Sequence, residues 1–275
     1  MLTRKKWLPV AIGAATALFG CALVLVAKPD KGKVDGQDLK PQWTVGDQWV
    51  VETQNQQAQA RTENPLKTDK PDSPDKQAAV QWKFTVQKEE KLGDAKCLRV
   101  EVKPIIEGKQ PVTTVWVDAK SMTIRQYQTQ LHVQGAYRTI TESYQLQDGQ
   151  PSPVLCPGSA LPMDLPLFQK GEAKGEDTFV YEAVIGPAGA KDPSDIGFLT
   201  EVKQKMKTLK PDEVKDLLAD DFSKDLDSKP VVEVELKTPE KTVRQLWRQQ
   251  MPWPVYVDNG LTQARLVKYT PAKKN

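Results

Sequence analysis

The sequence contains a single histidine, His132, and none of the short motifs that mark common catalytic sites. It has no glycine-rich phosphate loop, no His-Glu-x-x-His zinc helix, no Gly-x-Ser-x-Gly elbow and no Cys-x-x-Cys pair. His132 alternates in phase with Gln126, Gln128 and Gln130 on a predicted strand face that points to solvent, where it has no evident partner as a general base. These absences predict a protein that is not an enzyme and that uses no cofactor and no metal.

An excess of one charge is also lacking once the N-terminus is set aside. The first 21 residues hold three of the 39 basic residues and none of the 36 acidic ones, so 36 of each follow. A nucleic-acid-binding domain would carry a basic excess of its own. The composition therefore argues against nucleic acid as a partner.

The N-terminus has the pattern of an export signal. The cluster Arg4-Lys5-Lys6 is followed by an uncharged run, Trp7–Ala27, that spans 21 residues. A helix of that length covers the hydrocarbon core of a bilayer, roughly 30 Å at about 1.5 Å per residue. The basic cluster is held on the cytoplasmic side, so the chain after Lys28 crosses the membrane. Residues 1–27 are predicted to be a signal peptide or membrane anchor.

The run Leu18-Phe19-Gly20-Cys21 resembles a bacterial lipobox, in which cleavage before the cysteine precedes its lipidation. The resemblance implies a lipid on Cys21, although Phe19 is bulkier than usual and the run to Ala27 stays apolar. An uncleaved transmembrane helix and secretion after Ala27 are the alternatives, and the first of these also tethers the protein. The chain has no Asn-x-Ser/Thr sequon, which favours the bacterial cell envelope or periplasm.

Two cysteines follow the N-terminal segment, Cys97 and Cys156. In an oxidising compartment this even pair can form a disulfide, and two buried free thiols would give the same pattern in the sequence.

Alternation of apolar and polar residues predicts antiparallel strands through most of the chain. A linker is predicted over residues 28–41, a single β-rich domain over residues 42–275, and a solvated loop over Gln54–Gln77. The pattern predicts strands starting near Trp49, at Val80, Leu98, Val112, Ile124, Ala136, Thr178, Val232, Thr242 and Val255, and at Leu261.

Two turns have recognisable sequences. Asp118-Ala119-Lys120-Ser121 is a predicted turn between two strands, with Asp at the first position, where it is favoured. Asn259-Gly260 separates the last two strands and favours a type I′ turn.

A helical insertion is predicted over about residues 195–228. Its first helix is indicated by apolar residues at helical spacing and its second by Pro211, Asp212 and Glu213 in a first turn. The first set comprises Phe198, Leu199, Val202, Met206 and Leu209, and the second comprises Val214, Leu217, Leu218 and Phe222. The predicted fold class is therefore α+β, a curved sheet or half-open barrel of about nine to eleven strands with a two-helix insertion and an N-terminal membrane segment.

The segment Pro151–Phe168 combines five prolines with large apolar residues. Proline removes ladder donors and forbids a regular helix, so we predict a segment without regular structure that lies across an open face of the sheet. The candidate ligand or lid residues are Leu155, Leu161, Met163, Leu165 and Phe168, together with Trp253 between two prolines.

The hairpin of Val115-Trp116-Val117-Asp118 and Ile124-Arg125 resembles one found in envelope proteins of the lipoprotein-carrier (Lol) type. The resemblance covers Val80 to Leu146. It implies a sheet wrapped around an apolar cavity that holds acyl chains, with the apolar segment and the predicted helices as lid and plug. A helical insertion so late in the chain departs from that family.

Three functions are compatible with these patterns. The first is a tethered, non-enzymatic envelope protein that holds an apolar ligand or lipidated partner, and the second is a structural or protein-binding envelope component. The third is a hydrolase built on carboxylates such as Asp220-Asp221 and Asp225, although interleaved lysines favour a solvated surface there. The tryptophans after the anchor are best explained by core packing.

Overall fold

The computed structural model describes residues 33–55, 79–106, 111–122, 124–133, 136–146, 153–155, 162–164, 166–187, 197–239 and 242–273. Within these ranges no helix is long and apolar enough to cross a membrane. The predicted anchor Trp7–Ala27 and the predicted loop beyond Asn55 lie outside the described residues.

Strands dominate the described parts of the chain, and every strand pair is antiparallel. In chain order they are β1 (Gln48–Asn55), β2 (Val80–Leu92), β3 (Ala95–Pro104), β4 (Val112–Asp118), β5 (Ile124–Val133), β6 (Ala136–Leu146), β7 (Pro153–Leu155), β8 (Pro162–Asp164), β9 (Gly175–Pro187), β10 (Gly197–Leu209), β11 (Val231–Lys237), β12 (Thr242–Trp247), β13 (Tyr256–Asp258) and β14 (Thr262–Thr270).

Twelve of these strands form one curved sheet, in the order β1-β14-β13-β12-β11-β10-β9-β6-β5-β4-β3-β2. The first strand pairs with the last as well as with the second, so the ladder closes on itself. The prediction of a curved antiparallel sheet is confirmed. The strand count is higher than predicted, and the β1–β14 pairing joins the two ends that a half-open barrel would leave apart.

The meander from β2 to β6 follows the predicted alternation. On β4 the side chains of Thr113, Val115 and Val117 are buried, whereas those between them are only half-buried. Successive side chains on a strand point to opposite faces, so these three line the inside of the ring. The predicted starts of β5 and β6, at Ile124 and Ala136, match the structure.

The prediction of a first helix in the insertion is wrong, because residues 197–209 form strand β10. Val202, Gln204 and Met206 are buried at every second position, and β10 pairs with β9 and β11 on its two sides. Val202 and Met206 are four residues apart, a spacing that fits one face of a helix and one face of a strand equally well.

The second predicted helix is present only as short turns, Pro211–Val214, Lys215–Leu217 and Asp220–Ser223. The first begins with Pro211, and the Glu213 carboxylate accepts from the Lys210 backbone N–H at 2.7 Å. This cap satisfies a donor that the helix start leaves free. The segment buries apolar side chains, namely Val214, Leu218, Phe222 and Leu226.

The proline-rich segment also departs from its prediction, because β7 and β8 form a separate two-stranded sheet. Pro153 and Pro162 each stand first in their strand, a position where the missing N–H is tolerated. The folded domain begins before residue 42. Val34 and Leu39, which lie in the predicted linker, are buried.

The predicted turn at Asp118 is confirmed, since its Oδ1 accepts from the N–H groups of Lys120 at 2.9 Å and Ser121 at 3.0 Å. The type I′ prediction for Asn259-Gly260 is wrong. Such a turn needs positive φ at both residues, and only Gly260 has it. The loop spans four residues because Asp258 pairs with Gln263, and the Asn259 side chain accepts from Leu261 and Thr262.

We expect the contribution of Asp118 to the free energy of unfolding to fall as the pH is lowered. Burial raises the pKa of its carboxyl, but the bonds from Ser121, Lys120 and Arg125 outweigh burial and lower that pKa below its usual range. A carboxyl whose pKa is lower in the folded state stabilises the fold above its unfolded pKa and loses that contribution as pH falls. Asp118→Asn should therefore cost about 1–3 kcal/mol at neutral pH and less in acid.

Urea unfolding of Asp118→Asn at neutral and acidic pH tests this expectation. The matched control is Asp94→Asn, in the exposed β2–β3 turn. A destabilisation by Asp118→Asn that does not shrink in acid would contradict the assignment.

Candidate functional site

Aromatic rings fill one end of the ring of strands. The Trp49 ring lies 4.9 Å from that of Trp43 and 5.1 Å from that of Phe84, and Phe84 lies 5.0 Å from Trp253. Trp49 and Trp253 are 1% and 2% exposed. Core packing therefore accounts for these tryptophans, including the ligand or lid candidate Trp253.

The predicted lid residues are only partly brought together. Phe168 is half-buried and meets the buried ring of Trp247 edge-on, with centroids 5.1 Å apart. Its neighbour Leu167 is held by the buried Gln204 side chain, which accepts from the Leu167 N–H at 2.8 Å and donates to its carbonyl at 3.0 Å.

Of the other lid candidates, Leu155 and Met163 belong to the β7–β8 pair, in which Val154 is the partner of Met163. Leu161 and Leu165 lie outside the described residues. Leu167 and Phe168 thus contact the core, and the described interior beside them is occupied by aromatic rings.

The residues considered for chemistry are spread over the fold. His132 lies on β5 with Tyr137 as its cross-strand partner. Asp221 pairs with Lys224 at 3.4 Å, and both side chains are exposed. Across the described ranges no group of three or more His, Cys, Asp or Glu side chains could hold a metal ion.

Cys97 is buried and forms no disulfide with any described residue. Burial raises its pKa, and the nearby carboxylates of Asp118 and Glu90 add to the effect. Its proposed partner Cys156 lies outside the described residues, as does Cys21, so the disulfide and the lipid both stay predictions.

A polar pocket of about 180 Å³ lies on the outside of the ring, between strands β1, β13 and β14 and the turn Lys215–Leu217. We call it the outer pocket. The turn contributes Asp216 and Leu217, and the strands contribute Glu52, Thr53, Gln54, Tyr256, Gln263, Ala264 and Arg265.

Cross-strand register explains the arrangement of the pocket. Gln81, Glu52, Arg265 and Tyr256 are successive partners on β2, β1, β14 and β13. Directly opposed residues in a sheet share a face, so the four form one row. Their neighbours Val51 and Leu266 point to the core, which places the row on the outside.

Glu52 is the one carboxylate of this row, and both of its oxygens accept hydrogen bonds. Arg265 Nη2 donates to Glu52 Oε1 at 2.6 Å, and Gln81 Nε2 donates to Oε2 at 3.1 Å. These bonds lower the pKa of Glu52 despite its partial burial. Glu52 is therefore ionised at neutral pH and neutralises the charge of Arg265.

Tyr256 forms the far wall. Burial, followed by the charge of Asp258, raises its pKa to about 12. The hydroxyl therefore stays protonated and donates to Asp258 Oδ2 at 3.4 Å, while Gln263 Nε2 donates to the same oxygen at 3.1 Å.

The pocket was not foreseen from the sequence. Glu52 and Arg265 are 213 positions apart, and neither belongs to a short motif. The closure of the ring brings them together.

No protein-family model and no curated protein matches the chain. Among solved structures it is similar to a protein from Parabacteroides distasonis described as a "putative lipoprotein". The match has 10% identity and a TM-score of 0.26, and it covers 84% of this chain and 98% of that one. A TM-score of that size establishes no common fold. The fold defines an antiparallel β protein that has a continuous main sheet and carries the outer pocket on the outside of that sheet.

Proposed function

We propose that the protein is a membrane-tethered, extracytoplasmic and non-enzymatic binding protein of the bacterial cell envelope. The observation that carries the proposal is the uncharged run Trp7–Ala27 behind Arg4-Lys5-Lys6. A folded β-rich domain follows that run from Val34 onward, which suits a protein held on the outer side of a membrane by its N-terminus.

The proposed ligand is an apolar molecule or the acyl chain of a lipidated partner. The inner wall of the ring is largely apolar, which supports the proposal. Phe168 is half-buried and stands at the edge of the core, so it can serve as a lid. Because aromatic rings occupy the described interior next to it, an acyl chain would enter by displacing Phe168 from Trp247.

A protein-binding role is the second candidate, and two neighbouring exposed residues favour it. Ile105 and Ile106 follow β3 and are 47% and 82% exposed. Adjacent large apolar side chains in solvent suit a contact with another protein.

The outer pocket does not favour a carboxylate hydrolase. Glu52 and Asp216 both line the outer pocket, but a general acid needs a raised pKa and that of Glu52 is lowered.

Native mass spectrometry of the full chain extracted from membranes tests the tether and the ligand together. We expect a membrane-bound product that either starts at a diacylated Cys21 or keeps Met1, and an additional apolar mass that organic solvent removes. If the lipidation hypothesis holds, Cys21→Ala abolishes the covalent lipid, while Cys97→Ala leaves it in place.

A soluble product that starts after Ala27 would contradict the tether. A tethered product without bound apolar mass would contradict the ligand class and leave the protein-binding candidate.

A further inference from the structure

The outer pocket has a chemical preference that is independent of the membrane tether. Two acidic residues, Glu52 and Asp216, and one basic residue, Arg265, line it, so the formal charges of its side chains sum to −1. An anionic ligand would be repelled by this arrangement.

The hydrogen bonds of the residues around the outer pocket also favour a cationic ligand. Tyr256 and Gln263 already donate to Asp258, and the charge of Arg265 is balanced by Glu52. Asp216 is exposed on the opposite wall and makes no hydrogen bond or ion pair with any of the described residues. The Asp216 carboxylate is an acceptor-only group, so it is open to a donor from the ligand.

The size of the outer pocket and its apolar side chains further limit the class of ligand. A volume of about 180 Å³ has room for about six water-sized groups. Leu217 and the Tyr256 ring give it an apolar wall beside the carboxylates. A short alkyl stem can contact that wall while a charged head reaches Asp216, in the manner of a lysine side chain.

We propose that the outer pocket binds an alkylammonium group, with Asp216 as the ion-pairing residue and Leu217 and Tyr256 as the contacts for the stem. The group belongs to a free primary amine or to a lysine side chain of another polypeptide. The two sources share the same chemistry at the pocket and differ only in what extends beyond it.

Saturation-transfer NMR on the full chain in detergent tests this site with n-butylammonium chloride as the probe and sodium butyrate as the anionic control. Asp216→Asn removes the charge at constant size, and we expect it to weaken n-butylammonium binding about fivefold. The matched control is Asp212→Asn, which changes an exposed carboxylate of the same segment outside the pocket. That variant should bind as the unmodified chain does.

Equal binding of butyrate, no saturable binding of n-butylammonium, or the same affinity in Asp216→Asn and Asp212→Asn would each overturn the proposal. A second titration with Nα-acetyl-lysine-N-methylamide separates the sources. Tighter binding than n-butylammonium supports a polypeptide partner, and weaker binding supports a free amine.

Discussion

Trp49→Ala should lower the free energy of unfolding by about 3–5 kcal/mol, the usual cost of truncating a large buried aromatic side chain. Trp49 is 1% exposed and lies against the rings of Trp43, Phe84 and Trp253. Its removal leaves a cavity bounded by rigid rings that cannot collapse into it. A domain whose free energy of unfolding is about 5–15 kcal/mol would lose a large share of it.

Urea unfolding followed by far-ultraviolet circular dichroism measures the loss without relying on tryptophan emission. Trp49→Phe is the matched variant. The indole N–H of Trp49 has no acceptor within the described residues, so phenylalanine removes no hydrogen bond and leaves a smaller void. Trp116→Ala, at a half-buried outward position, should cost less. Equal losses for Trp49→Ala and Trp116→Ala would contradict the assignment of Trp49 to the core.

Local patterns were sufficient to predict the meander. Each strand from β2 to β6 alternates clearly, and few residues separate each strand from the next, so that neighbours in sequence are neighbours in the sheet. The turn at Asp118 was predictable because its bonds join residues two and three positions apart.

Strand β10 was missed because its apolar residues satisfy two periods at once. A signal for the strand was nevertheless present on the polar face. Glu201, Lys203, Lys205 and Lys207 occupy every second position and are all exposed. A helix would have spread these charges around its circumference, whereas a strand places them on one side.

The outer pocket could not be predicted from local patterns, because its parts meet only after the ring has closed. Glu52 comes from the first strand, Arg265 from the last, and Asp216 from a turn that lies between β10 and β11. The strand pattern shows which residues point outward but not which distant strands become partners.

Asp47→Ala is expected to cost about 3 kcal/mol, because it removes a buried carboxylate that joins the two ends of the domain. Asp47 is 2% exposed. Its Oδ2 accepts from the Thr44 N–H and its Oδ1 from the Ala272 N–H, each at 2.7 Å. Hydrogen bonds to a charged group contribute about 1.5–3 kcal/mol each, and a buried N–H that loses its acceptor adds a desolvation cost.

Two further contacts make this site intolerant of rearrangement. Gly46 has a φ of +100°, and a Cβ added there would lie 3.2 Å from the Ala272 Cβ, so the two chain segments approach closely. Asp47 also lies near Tyr269, where burial and then the charge of Asp47 raise the pKa of the tyrosine hydroxyl. Without the carboxylate, neither segment can shift to supply another acceptor without breaking the β1–β14 pairing between Gln48 and Thr270.

Urea unfolding, combined with hydrogen exchange at Ala272, distinguishes this role from a general loss of charge. Asp47→Asn retains one acceptor oxygen and should fall between Asp47→Ala and the unmodified chain. Asp38→Ala removes an exposed carboxylate whose one partner among the described residues is the Gln249 side chain, at 3.1 Å, and it should cost much less. If Asp47→Ala left both the stability and the protection of the Ala272 amide unchanged, the carboxylate would not be what joins β1 to the C-terminal strand. The closure of the ring would then have to rest on the β1–β14 ladder alone.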